Sequence, residues 1–396
     1  MSFSLSSAPE QAIRAVSAFI AVLALVLVGG CGSGDFSSTL ESGRAALERN
    51  DLDGADRAFA ECEQMNPGNV DLLLHLTRLK LRLGEVDTAA KYIARAESVA
   101  ADDVDVRLLD AEVAWYAREY DRAIRGFSEI AEDPSLSAEL RSQALSGMGV
   151  VQMGRSEAER PGTLDLARLS LMRAIRLNRR NAAAWYHLGC LYQKSPFDYP
   201  DAAIDQFRCF VRLDGDTKRA ATVKDSLIPG LEAAIAQRKS ALKGSRRQDA
   251  AGCAAALNKA EASIKKGELK AALRNYGDAL AADPLSGVAA LGVARTQLKL
   301  DTTKAGRQTA LKAYGRAGVL KLGEWDESSL LMEMGEVAEN AGSYATARTC
   351  YSHVLALNMN SVKAVDGMIR SLQKANAERS LIQSYRAYRE LLSQGR

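Results

Sequence analysis

Residues 55–67 read ADRAFAECEQMNP and residues 272–284 read ALRNYGDALAADP. In each, an alanine (Ala55, Ala272) is followed four positions later by a ring (Phe59, Tyr276), then three positions later by a small residue (Cys62, Ala279), and a proline closes the stretch (Pro67, Pro284). That spacing puts the three residues on one face of an α-helix. The pattern recurs at Ala89, Ile93 and Ala96, at Ala203 and Phe207, and at Ala347 and Tyr351. Residues 185–192, WYHLGCLY, supply a complementary first helix through Trp185, Leu188, Gly189 and Tyr192. Recurrence at intervals of about 34 residues, with two helices per unit, predicts an array of stacked helix pairs.

Composition agrees. The 396 residues are 47% hydrophobic and only 6% aromatic, with 8 prolines, which favours short packed helices over strands. A chain this long exceeds most single cores, a limit that an array avoids by growing in one direction. Basic and acidic residues nearly cancel, 52 against 49, so no strong field points to nucleic acid.

These residues resemble the tetratricopeptide repeat (TPR) family. The resemblance implies an all-α fold, a right-handed superhelical α-solenoid of TPR-type helix hairpins in two lobes, binding other polypeptides. An N-terminal lobe of about five repeats covers 39–215, an atypical helical linker covers 216–250, and a C-terminal lobe of about four repeats covers 251–396. Gly84-Glu85 splits the second pair and Asp133-Pro134 closes the third, with insertions expected at 154–163, 196–200 and 301–307. In the linker, two amphipathic helices are expected to join at Ile228-Pro229-Gly230. Leu381 stands where the pattern has alanine, as expected of an end with no successor to pack against.

Residues 1–30 carry a different message. An apolar run from Ala15 to Val28 is too short for a confident membrane span and right for a signal-peptide core. Val28-Gly29-Gly30-Cys31 resembles a bacterial lipobox, although leucine is preferred where Val28 stands and Ala or Ser where Gly29 stands. The resemblance implies a signal peptide over 1–30, lipidation of Cys31 and a flexible tether over 31–38; two or three acyl chains, at roughly 0.8 kcal/mol per buried CH₂, hold a protein durably. A plain cleaved signal with an incidental cysteine, and an uncleaved anchor, are the other readings. Gly32 rather than Asp follows Cys31, which in such families points to the outer membrane, facing the periplasm.

Groups able to carry chemistry are scattered. His75, His187 and His353 lie in three different repeats and read as ordinary helix-surface residues; no metal site, nucleotide loop, cofactor or catalytic residue is expected. Cys190 and Cys209 are the local candidates for a disulfide, but the register points them to opposite sides, so the cysteines after Cys31 read as small apolar fillers.

In this family, inner faces of first helices line a concave surface. The resemblance places Leu74, Arg78, Leu81, Leu108, Glu112, Trp115, Met153 and Tyr186 there, a largely apolar groove suited to an amphipathic or extended segment of another envelope protein, with an isolated Arg and Glu. The competing reading is that each packs on a neighbouring helix. The C-terminal groove, with Arg295, Glu336, Glu339, Asp366 and Arg370, is more charged. The expected function is therefore a membrane-anchored, non-enzymatic scaffold or assembly factor of the bacterial cell envelope. The alternatives are an accessory subunit or enzyme of a cell-wall, polysaccharide or secretion pathway with an unrecognised active site, and a structural spacer.

Overall fold

A computed structural model describes residues 35–155, 162–243, 249–319 and 327–394. The expected signal peptide, Cys31 and residues 32–34 of the expected tether lie outside the described residues, as do 156–161 of the first insertion, and residues 36–38 of that tether are helical. The described residues form an all-α solenoid of consecutive helix pairs, with no strand among them. The chain divides into two compact units at Gly126.

The first unit holds α1 (Phe36–Glu48), α2 (Leu52–Met65), α3 (Val70–Arg82), α4 (Val86–Ala100), α5 (Val104–Tyr116) and the start of α6 (Tyr120–Glu132). Each pair turns over one left-handed residue: Asn50 at φ 61°, Gly84 at 77° and Arg118 at 62°, which recur 34 residues apart. After each, the next backbone N–H reaches back five residues, Asp51 to Ala46, Glu85 to Lys80 and Glu119 to Ala114, so carbonyls at the helix end are satisfied. Glycine takes that conformation freely at position 84; Asn50 and Arg118 adopt it at a steric cost that the closing bonds offset. The ring of the second helix then fills the space between helices. Phe59 is fully buried, with Leu72, Leu76 and Leu79 of the next repeat in the same core cluster.

The second unit continues with α7 (Ala138–Gly154), α8 (Thr163–Leu177), α9 (Ala182–Tyr192), α10 (Pro200–Leu213), α11 (Lys218–Thr222), a π-helical turn (Val223–Leu227) and α12 (Ile228–Lys243). It goes on through α13 (Ala250–Lys265), α14 (Leu269–Ala282), α15 (Gly287–Leu300), α16 (Lys304–Val319), α17 (Glu327–Asn340), α18 (Tyr344–Leu357), α19 (Val362–Lys374) and α20 (Arg379–Gln394). Successive pairs are joined by a side-chain relay. Asn178, Asp283 and Asn358 each accept from the backbone N–H two residues on, and Asn181, Ser286 and Ser361 then cap the next helix.

Three expectations need correction. The helix is not broken at Ile228-Pro229-Gly230; it runs from Lys218 to Lys243 through a π turn. Pro229 has no N–H and its ring would crowd the carbonyl four residues back, which the wider turn accommodates. The histidines are not surface residues. His75 is 8% exposed and stacks on Phe59, while His353 stacks on Tyr199 with ring centroids 4.2 Å apart. Finally, the last helix does have a neighbour: α20 packs against α8, and Leu381, 5% exposed, lies over Gly162.

Candidate functional site

In the first unit, the predicted groove residues separate into two groups. Leu74, Leu81 and Leu108 are buried, at 5%, 7% and 4% exposure, and the first two belong to the core cluster around Ile93 and Leu109. Arg78, Glu112 and Trp115 are half-buried on the first helices α3 and α5. Trp115 lies against Tyr116, 47% exposed, with centroids 4.8 Å apart. Burial raises the Glu112 carboxyl above the ordinary carboxylate range, and Arg78 pulls it the other way. Apart from that mutual attraction, neither takes part in a hydrogen bond or close ion pair with the described residues.

In the second unit, Met153 is half-buried at the end of α7, with Lys194 donating to its carbonyl at 3.4 Å. Tyr186 is half-buried: its ring lies 5.1 Å from Phe210, and the Arg219 guanidinium of α11 sits 5.3 Å over it. Beside it, burial and then Arg219 push His187 down to about 4. Cys190 and Cys209 are unbridged, and burial raises the Cys190 thiol.

The charged residues of the C-terminal repeats are largely paired with each other. Arg295 donates twice to Glu333, at 2.6 and 2.9 Å, and Tyr314 donates to the same carboxylate at 2.5 Å. Glu339, 7% exposed, receives Arg370, Lys374 and the Tyr351 hydroxyl. Burial alone would raise Glu339, but Arg370 and Lys374 outweigh it and hold the carboxyl below its usual range. Asp366 accepts from Arg389 at 3.0 Å.

A second buried polar cluster was absent from the sequence reading. Arg168 on α8 is completely buried; it donates to Asp165 at 2.6 Å, to the Ser352 hydroxyl on α18 and to the Tyr385 hydroxyl on α20. Tyr385 in turn donates to Asp165 at 2.9 Å, and Phe197 lies 5.1 Å from the guanidinium. Burial opposes the charge on Arg168, but Tyr385 and Asp165 keep it protonated, and burial raises the Tyr385 hydroxyl. Nearby, Arg176 donates to the Leu391 carbonyl and Tyr199 to that of Thr349. A cleft of about 670 Å³ opens above this junction, bounded by α8, the 196–199 loop, α18 and the start of α20. Among the described residues, no group of three His, Cys, Asp or Glu side chains is placed to hold a metal, and no helix is long and apolar enough to cross a membrane.

Residues 46–113 match the tetratricopeptide repeat family model. Compared with curated protein sequences, the chain matches none. Similar solved structures include PilF of Pseudomonas aeruginosa, 17% identical over 53% of this chain and 93% of PilF, with a TM-score of 0.38. MamA from Desulfovibrio magneticus RS-1 is 15% identical over 47% of this chain and 99% of its own, with a TM-score of 0.33. The P58(IPK) TPR domain is 16% identical over 87% of this chain and 99% of its own, with a TM-score of 0.25. Residues 46–113 are thus tetratricopeptide repeats, a protein-interaction fold, and consecutive helix pairs continue beyond the matched segment in both compact units.

Proposed function

We propose that this protein is a lipid-anchored scaffold of the bacterial cell envelope that holds segments of other envelope proteins on the first helices of its repeats. The observation that carries the binding half is the contrast between charges. Arg295, Glu339, Asp366 and Arg370 are engaged in hydrogen bonds and close ion pairs with neighbours, whereas Arg78 and Glu112 in the first unit make neither with the described residues and act only through longer-range electrostatics, on each other and from Arg78 on His75. A half-buried carboxylate and guanidinium beside Trp115 suit a segment that brings its own charges and an apolar side chain, the charges setting register. The anchoring half rests on the lipobox-like Val28-Gly29-Gly30-Cys31, with outer-membrane retention read from Gly32.

Two experiments test the halves separately. Cys31→Ser should move the protein from the membrane to the soluble fraction and abolish globomycin-sensitive processing; unchanged fractionation would remove the anchor. Trp115→Ala combined with Glu112→Gln should eliminate partners that crosslink to the wild-type protein in native membranes. An identical set of crosslinked proteins from this variant, or from a chain lacking residues 39–214, would remove the first-unit groove.

A further inference from the structure

The cleft of the second unit has no counterpart in an open array of repeats: it exists because α20 returns to α8. Its floor is apolar, formed by Phe197, Met368 and Leu381. Among the described residues, three charged side chains line it. Asp165 accepts Arg168 and Tyr385, both on Oδ1, and Glu378 accepts the Ser380 hydroxyl at 2.7 Å. Arg348 differs. Its guanidinium has no hydrogen bond or ion pair with any described residue, and its Nε is shut off from solvent without an acceptor. A buried guanidinium N–H left unpaired is costly, and the group that best relieves it is a carboxylate.

We infer that this cleft receives a short extended segment of a partner polypeptide in which an acidic side chain sits next to apolar ones. The carboxylate pairs with Arg348, and the apolar side chains lie over Phe197, Met368 and Leu381. The volume, about 670 Å³, falls in the range of pockets that bury most of a small ligand. This inference rests on the scaffold reading above but uses a different surface, in a different compact unit.

The test is a random peptide library displayed on phage, selected on the full-length protein and in parallel on Arg348→Gln, followed by fluorescence anisotropy with the enriched peptides. Because Arg348 makes no bond to lose, the variant should melt with the wild type. Peptides with an acidic residue flanked by apolar ones should be enriched on the wild type only, and their affinity should fall roughly 10- to 100-fold in the variant. Replacing the acidic residue by its amide should weaken binding to the wild type equally and to Arg348→Gln no further. Thr349→Trp, at the exposed edge of the cleft, should block the same peptides.

Enrichment without acidic residues, or equal binding to Arg348→Gln, overturns the inference. So does binding of dodecanoate, but of no peptide, in the cleft. Peptides that crosslink to Trp115 and never to the cleft overturn it while leaving the scaffold reading intact. Failure to enrich any peptide counts against both.

Discussion

Replacing Arg168 by leucine tests whether the buried cluster holds the last helix onto α8. The substitution leaves the Asp165 carboxylate, the Tyr385 hydroxyl and the Ser352 hydroxyl without their shared donor. Breaking a buried ion pair by removing one partner costs about 3–5 kcal/mol. The Asp165 side chain remains 23% exposed and keeps some water, which places the cost near the lower end of that range. For a unit of this size each kcal/mol shifts the melting temperature by about 2–4 °C, so a fall of roughly 6–12 °C is expected at the lower end. Hydrogen exchange locates the effect. Amides of α8, α18 and α20 should lose protection, while those of α13–α16, which do not touch Arg168, should change little. Removing both charges with Arg168→Leu and Asp165→Leu should recover much of the loss, since an apolar pair carries no stranded carboxylate. A cost below about 1 kcal/mol, protection lost evenly along the chain, or strictly additive single and double variants would refute the reasoning.

Two glycine substitutions should have opposite signs. At Gly335 an added Cβ would meet the Tyr351 ring at 2.6 Å, so Gly335→Ala should cost about 1–3 kcal/mol, whereas at Gly277, with nothing within 4 Å, alanine should stabilise by about 0.5–1 kcal/mol. Thermal denaturation decides, and equal signs would contradict the ring-in-gap packing. His187 should make stability depend on acidity. Its native value, about 4, lies below the unfolded 6.5, so its contribution is complete above pH 6.5 and is lost as pH falls toward 4, by at most about 3 kcal/mol. The difference in denaturant midpoint between wild type and His187→Gln should shrink over that window; parallel curves would show that His187 titrates normally.

The repeat was legible because its determinants are local. Ala-x₃-ring fixes which face of the second helix is buried, and Gly189 and Gly335 of the first helices accept Phe207 and Tyr351 as that spacing requires. The turns were only partly legible. Gly84 announces itself, but Asn50, Arg118 and Asn376 take the same left-handed conformation without glycine, and only their spacing gives them away. The closure of α20 on α8 was missed because its partners are more than 200 residues apart in sequence and an arginine reads as a solvated position. One signal was available: Arg168 interrupts the stripe Leu164, Leu171, Met172, Ile175, all buried, where a charge belongs only if something distant pairs with it. The candidate groove was legible in residue type but not in accessibility. Whether Leu74 or Trp115 keeps exposed surface depends on how closely α3 and α5 approach, which helical periodicity does not encode.

The contrast between the two kinds of buried carboxylate yields a last prediction that separates folding from binding. Glu339 has three donors and a carboxyl held below its usual range; Glu112 has none, and burial raises it. For Glu339, a depressed native value means stability that is complete above the unfolded 4.5 and lost in acid, so Glu339→Gln should cost about 1–3 kcal/mol near neutral pH. For Glu112 the sign reverses. Its raised native value means that the native state binds the proton more tightly, so a penalty accumulates as pH rises through 4.5, and Glu112→Gln should leave stability unchanged or raise it by up to about 1 kcal/mol. A residue whose charge burdens the fold and makes no hydrogen bond or close ion pair with the described residues is the kind retained for a ligand, so the same substitution should weaken partner binding while Glu339→Gln should not, beyond its effect on the folded fraction. Paired urea denaturation and partner crosslinking for the two variants measure both quantities, and Glu112→Gln proving as destabilising as Glu339→Gln would return Glu112 to the core.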